Sequence, residues 1–311
     1  MQDAPFHAAV ADGPAGGRAY WLTASDGVRI RIGVWSDPGA KGTVLLFPGR
    51  TEYVEKYGRA AEDLRQRGYA TVAIDWRGQG LADRLIKDGG LGHVTRFLDY
   101  QKDVEATLAA LPKLDLPKPL YLIAHSMGGA IGLRAVLNGL GVKAAAFSAP
   151  MWGILIAPWM RPVAWALSTV ATPLGFGGMI TPGTSRETYV AAEPFEDNML
   201  TKDREMFAYM NRQVTTHSEL ALGGPTLTWL NQALIETRAL MAAPSPTLPC
   251  YTALGSDERI VDPRPVHRKM GSWPGARLDM VEGAEHEIMM ETPARRSGFF
   301  DAATGLFDAN P

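Results

Sequence analysis

Tyr121-Leu122-Ile123-Ala124-His125-Ser126-Met127-Gly128-Gly129 is the stretch of this chain that decides its fold. Apolar residues suited to a buried strand run into a serine, and the residues beyond it, through Ile131 and Leu133, have the spacing of a helix. A strand that turns straight into a helix around a serine is a nucleophile elbow. The turn is so tight that the positions two before and two after the serine must be small, here Ala124 and Gly128. The serine is held in a strained backbone conformation that lifts its hydroxyl into the open. Glycine is the usual residue at the first of these positions, and alanine is still small enough to serve.

Outward from the elbow, short apolar runs at 43–47, 69–74, 119–124 and 143–148 alternate with helix-like segments at 53–67, 98–111 and 127–138. Strand, helix, strand alternation predicts a mostly parallel sheet with helices on both faces. Upstream, 18–24 and 28–35 alternate apolar and polar residues around Ser25-Asp26-Gly27 and read as an antiparallel hairpin. Residues 1–17 read as a flexible tail. The alternation lapses at 151–234, a stretch rich in Trp, Met, Pro and Gly, and resumes with strands near 248–254 and 277–281 and a terminal helix from Pro293. The expected organisation is therefore a first core part at 18–150, a mainly helical cap at 151–234 and a second core part at 235–311.

Composition narrows the function classes. Of the 311 residues 46% are hydrophobic and 21% charged, enough for a full core. The net charge is −2 with no basic stripe, which argues against nucleic acid as a partner. Cys250 is the only cysteine, so no intramolecular disulfide or cysteine-rich metal site can form, and a reducing cytoplasmic setting is expected. Residues 1–17 lack the basic start and apolar run of a secretory signal. The uncharged stretch 162–185 is interrupted by Pro173, Pro182, Gly175, Gly177 and Gly178, which reads as a buried or interfacial helix and not a membrane span.

A serine hydroxyl is a weak nucleophile at neutral pH and needs a histidine base, itself oriented by an acid. In elbow-bearing sheets these follow the serine in the order acid, histidine. Asp257 in Leu254-Gly255-Ser256-Asp257 and His286 in Gly283-Ala284-Glu285-His286 each follow a late strand, at the sheet edge where Ser126 also lies. Asp257 is the preferred acid by position, with Glu258, Asp262, Asp279 and Glu282 as alternatives. His7, His93, His217 and His267 read as solvated or structural, and His125 as packed under the elbow, pointing away from Ser126. An oxyanion hole would use the backbone N–H of Met127 and one from the loop after the first parallel strand, where Arg50 is the candidate. The Arg50 guanidinium could anchor a phosphate or carboxylate, although a solvated surface side chain is the default expectation. Nothing in the sequence implies a metal or an organic cofactor.

These residues, with Phe47-Pro48-Gly49-Arg50-Thr51-Glu52, Lys56-Tyr57, Asp75-Trp76-Arg77-Gly78-Gln79-Gly80, Gly223-Gly224-Pro225-Thr226 and Trp229, resemble the α/β-hydrolase group of monoacylglycerol lipases and bacterial lysophospholipases, most of all the lysophospholipase L2 type. The resemblance runs from about Thr43 to Arg295. It implies the α/β-hydrolase fold, Ser126, Asp257 and His286 as a triad, Arg50 and Met127 as oxyanion donors, and hydrolysis of monoacyl lipid esters. It implies peripheral contact with membrane lipid as well, on a cytoplasmic protein at the inner membrane face. Two positions depart from the group, since Pro48 and Trp76 stand where histidine is common. In the cap, Trp152, Ile154, Leu155, Trp159, Trp165, Leu167, Phe176 and Met179 crowd a stretch with almost no charge. They are expected to form an acyl-binding wall over Ser126, with Trp152, Trp159, Phe176 and Met179 as its substrate-binding candidates.

Two other functions fit the same core. A proline iminopeptidase-like peptidase needs cap acids to hold a free amine, for which Glu187, Glu193, Glu196 and Asp197 are candidates. A non-catalytic binding protein on this fold would be marked by loss of a triad residue, and none is lost.

Overall fold

A computed structural model describes all 311 residues. Its strands are β1 (Gln2–Ala4), β2 (Arg18–Thr23), β3 (Arg29–Trp35), β4 (Gly42–Phe47), β5 (Tyr69–Asp75), β6 (Leu120–His125), β7 (Ala145–Ser148), β8 (Cys250–Gly255) and β9 (Arg277–Val281). Every residue of β4, β5, β7 and β8 is buried, as unbroken apolar runs covered on both faces must be. One nine-stranded sheet results, in the order β1-β2-β3-β5-β4-β6-β7-β8-β9. The pairs β1–β2, β2–β3 and β3–β5 are antiparallel, and all pairs from β5 to β9 are parallel. Phe47 pairs with Ala124, and His125 with Ser148, so the loops after β4, β6 and β7 leave the sheet side by side.

The helices are α1 (Ala8–Ala11), α2 (Gly58–Gln66), α3 (Tyr100–Ala110), α4 (Ser126–Leu137), α5 (Arg161–Ala171), α6 (Tyr189–Ala192), α7 (Arg204–Thr216), α8 (Leu227–Ala242), α9 (Pro263–Gly271) and α10 (Pro293–Asp308). Alternation along the strands sorts the core into two layers. Leu45, Phe47, Val72, Leu122 and Phe147 pack against α3, α4, α8 and α9 through Val104, Ile131, Trp229, Ala233 and Val266. Val44, Leu46, Ala73, Ile123 and Tyr251 pack against α2, α7 and α10 through Leu64, Met210, Phe299 and Phe307.

Two expected boundaries shift. Residues 1–17 are not a loose tail: β1 pairs with β2, and Val10 and Ala11 are buried. Gln213 Nε2 donates to Val10 O (2.8 Å) and Tyr209 Oη to Ala11 O (2.7 Å), so α7 clamps this segment to the body. The second difference concerns α8, which runs unbroken through the expected boundary at 234/235. Its Trp229, Ala233 and Leu240 belong to one continuous core layer, and a cap that ended at Leu234 would cut that face in two.

No strand of the sheet lies between β7 and β8. Within that insertion α5 rests on α8 through polar contacts, Asn231 Nδ2 to Thr169 Oγ1 (2.9 Å) among them. Apolar side chains of α5 and of the segments flanking it face outward: Trp159, Val163, Leu167, Val170, Leu174, Phe176 and Met179 are all exposed. No helix is long and apolar enough to cross a membrane.

Candidate active site

The elbow has the geometry its sequence demands. Ser126 takes φ 49°, a left-handed conformation that costs a non-glycine residue about 1–3 kcal/mol and persists only where the surroundings impose it. Gly128 is obligatory, because a Cβ there would lie 2.1 Å from Phe47 O. Ala124 is tolerated because Gly132 faces it: a Cβ on Gly132 would come 3.1 Å from the Ala124 methyl. Ser126 and Met127 open α4, so their N–H groups have no intrahelical acceptor and lie at the positive end of the helix.

His286, on the loop after β9, brings Nε2 to 2.9 Å from Ser126 Oγ. Its Nδ1 lies 2.7 Å from Oε2 of Glu258, not from Asp257. The expectation of Asp257 as the acid is therefore corrected by one residue. Gly255 O accepts the Glu258 N–H (3.4 Å), closing a turn in which Ser256 and Asp257 occupy the tip while Gly255 and Glu258 sit at the base. At the tip the Asp257 side chain is 45% exposed and faces Lys202 Nζ at 3.6 Å. At the base the Glu258 side chain is 1% exposed, and its Oε1 accepts the N–H groups of Ile260 (2.7 Å) and Val261 (3.0 Å). Burial pushes the Glu258 carboxyl up, but His286 and those two backbone donors outweigh it and hold it below the ordinary glutamate value. Two further acids near the late strands are engaged elsewhere: Asp262 caps α9 and pairs with Arg264, and Asp279 pairs with Arg277.

Beneath the elbow lies a second network that sequence reasoning missed apart from the packed His125. Lys56 Nζ bridges Glu52 Oε1 (2.7 Å) and Glu287 Oε1 (2.6 Å), all three buried. His125 Nδ1 meets Ser148 O at 3.0 Å, and its Nε2 faces Glu52 and Glu287 at 3.4 and 3.3 Å. Two carboxylates thus meet one ammonium and one imidazole that is complete as a donor only when protonated. Burial pushes His125 down, but the carboxylates of Glu287 and Glu52 overcome it and raise its pKa. Burial raises the Glu287 carboxyl, yet Lys56 and His125 drive it well below its ordinary value. Glu52 also accepts the Gly49 N–H and the Tyr57 hydroxyl, so the cluster ties together the loop after β4, the elbow and the histidine loop. The signal was available in Glu52 and Lys56 four apart and Glu287 beside His286.

The loop after β4 explains the two departures from the group pattern as one. Trp76 Nε1 donates to Pro48 O (2.9 Å), and Gln79 Nε2 to Gly49 O (2.7 Å), fixing the loop against Asp75-Trp76-Arg77. Arg50, expected as a solvated side chain, is instead mostly buried. Its Nη1 donates to Gly223 O (2.9 Å), and its guanidinium lies over Trp229 at 5.6 Å.

The cap residues and the remaining histidines are scattered. Trp152, expected on a substrate wall, is fully buried in the core, where Nε1 donates to Gly129 O (3.1 Å) and the ring meets Phe147 edge-on. Trp159, Phe176 and Met179 are 76, 55 and 56% exposed. Glu196 pairs with Arg204 and Asp197 with Arg259, both at the surface. His93 meets Thr226, and His7 stacks on His217 beside Glu219. Glu52, His125 and Glu287, and separately His7, His217 and Glu219, each gather ligand atoms within 4.8 Å. In the first group Lys56 already holds the cation position between the carboxylates.

Residues 38–293 match the family described as serine aminopeptidase, S33. Lysophospholipase L2 of Escherichia coli (strain K12) is 32% identical over 297 residues, spanning 92% of this chain and 86% of that protein. Monoglyceride lipase of Rattus norvegicus is 25% identical over 285 residues, 88% of this chain and 84% of its own. A soluble variant of Saccharomyces cerevisiae monoglyceride lipase, solved with a substrate analog, superposes with TM-score 0.72 at 19% identity, covering 96% of this chain and 98% of that one. The last likeness establishes the fold, an α/β-hydrolase with a mostly parallel sheet.

Proposed function

Because the chain belongs to the serine aminopeptidase S33 family of α/β-hydrolases, and within it to the lysophospholipase L2 relatives, we propose that this serine hydrolase cleaves carboxylic esters of monoacyl lipids through an acyl-enzyme. The observation that carries the reading is the unbroken line from Ser126 Oγ through the His286 ring to Glu258. His286 takes the proton as Ser126 Oγ attacks the ester carbonyl, and Glu258 holds the imidazole with Nδ1–H toward itself and steadies its charge. The tetrahedral oxyanion is received by the N–H groups of Met127 and Arg50. His286 then returns the proton to the leaving alkoxide, and water releases the acyl group by the same path in reverse.

The monoacyl-lipid substrate is supported by the activities named for the relatives and by the apolar surface from Leu155 to Met179. We take the insertion after β7, expected at 151–234, as the cap over Ser126. Its uncharged run at 162–185 and outward apolar helix α5 support peripheral contact with membrane lipid. Such contact would keep the protein at the cytoplasmic face of the inner membrane without spanning it. The aminopeptidase reading, suggested by the family's description, is weighed against the ester reading by the prolyl amide below.

Hydrolysis rates across p-nitrophenyl esters of rising acyl length, a monoacylglycerol, a lysophospholipid and a prolyl amide test this reading. Rates should rise beyond short esters and be lost in Ser126→Ala along with fluorophosphonate labelling. A preference for the prolyl amide or for acetate would overturn the substrate assignment.

A further inference from the structure

Arg50 combines two features that its neighbours do not. Three buried cations of the core are each held by a pair of carboxylates: Arg31 by Glu55 and Asp75, Arg77 by Asp26 and Asp103, Lys56 by Glu52 and Glu287. Arg50 forms no salt bridge, and one carbonyl, Gly223 O, is the only protein acceptor its side chain meets. Its Nε and Nη2 are nonetheless not sealed in, since neither is among the buried polar atoms without a partner. The fork therefore lies against Trp229 with Nε and Nη2 not fully sealed and still to satisfy. Burial pushes its pKa down to about 10, although Tyr100 and Glu52 pull the other way.

The second feature is position. A Cβ on Gly128 would touch Phe47 O and Pro48 O, so the loop carrying Arg50 leans directly on the elbow. Glycines approach the guanidinium closely: a Cβ on Gly92 would lie 3.6 Å from Arg50 Nη1, and the carbonyl that Nη1 meets belongs to Gly223. In a 1-acyl lysophospholipid about six single bonds, each about 1.5 Å, separate the ester carbonyl carbon from phosphorus. The same number separates the Arg50 backbone nitrogen from its guanidinium carbon.

We propose that the Arg50 guanidinium receives the phosphodiester anion of a lysophospholipid headgroup, while the backbone N–H of the same residue serves the ester oxygen. One residue thus measures the glycerol from ester to phosphate and selects phospholipid over neutral monoacylglycerol. The planar fork of arginine suits two phosphate oxygens at once, which a lysine ammonium does not match. The proposal rests on the ester-hydrolase reading above and adds the headgroup to it.

The test compares kcat/KM for a soluble hexanoyl lysophosphatidylethanolamine and hexanoyl monoacylglycerol in the wild type, Arg50→Met and Arg50→Lys. All three keep the backbone N–H. Arg50→Met should lower the ratio of lysophospholipid to monoacylglycerol kcat/KM about tenfold or more, chiefly through KM, as loss of a charged hydrogen bond does. Arg50→Lys should recover part of it. Equal loss on both substrates, or no loss, overturns the proposal. A measurement on the unaltered protein stands beside it: glycerol 3-phosphate should compete with p-nitrophenyl ester hydrolysis where glycerol does not, and equal behaviour of the two overturns the proposal. If the wild type hydrolyses neither lipid, the ester reading itself has failed, which is a different result from an unchanged ratio.

Discussion

The floor beneath Ser126 and the insertion after β7 are built on opposite principles. Under the elbow, Glu52, Lys56, His125 and Glu287 are buried and joined by contacts of 2.6 to 3.4 Å across three loops. In α5 and the turns around it, large apolar side chains face outward and the contacts to the body are polar. The first region is fixed by its own partners, as a site that must hold a strained serine requires. The second leaves its apolar surface without a partner, as a surface that meets lipid does. Beneath the elbow charged groups face one another at short range, although His125 Nε2 and Glu287 Oε2 make no hydrogen bond, whereas around α5 apolar groups are left to solvent.

The largest effect that can sharpen this contrast is on turnover. His286→Ala should lower kcat/KM by about 10⁴–10⁶-fold while the protein stays folded, because triad members act as a unit. Substitution of the exposed pair Trp159 and Leu174 by Ser should leave hydrolysis of a short ester nearly unchanged in the same assay.

Stability should divide the two regions next. Lys56→Met leaves two carboxylates buried without their cation and is expected to cost about 3–5 kcal/mol in urea unfolding. Ser at Val163 or Leu174 should shift stability by no more than about 0.5 kcal/mol, yet weaken co-sedimentation with anionic phospholipid vesicles. A large loss of stability from these exposed positions would mean that the apolar face is packed in the folded protein.

The smallest effect is a pH dependence. His125 has a raised pKa in the folded state, so it binds a proton more tightly folded than unfolded. Its contribution is complete below about pH 6.5, the unfolded value, and fades as pH rises through the folded value. Glu287 acts in the opposite sense, adding stability above the ordinary glutamate pKa of about 4.3 that is lost in acid. The His125 contribution to unfolding free energy should therefore decline as pH rises above about 6.5, and His125→Gln should flatten that decline. An unchanged slope in the variant would remove His125 as its source.

Much of this was legible in the sequence because it depends on short-range patterns. The elbow is a local strand-to-helix signal, and the alternation of apolar runs and helical stretches marks each strand of the parallel sheet to within a few residues. His286 was legible from its place after β9. What was not legible depends on distant partners or on the phase of a turn. Asp257 and Glu258 are neighbours with the same charge, and only the closure of the turn from Gly255 to Glu258 decides which faces His286. Trp152 lies in a stretch whose composition suggests a lipid-facing wall, but it is buried against Phe147 and against Trp273, which is far from it in sequence. Residues 1–17 carry no periodic signal long enough to read, and their order comes from β2 and α7.

The central claim is that Glu258, and not its neighbour, orients the base. Steady-state kinetics of Glu258→Gln and Asp257→Asn on one ester, with the urea-unfolding midpoint of each variant as a check on folding, tests it most directly. The account predicts a loss of about 10³–10⁴-fold in kcat for Glu258→Gln, as when a neutral partner misorients the imidazole, and activity within a few-fold of the parent for Asp257→Asn. A crippled Asp257→Asn beside a nearly active Glu258→Gln would contradict it.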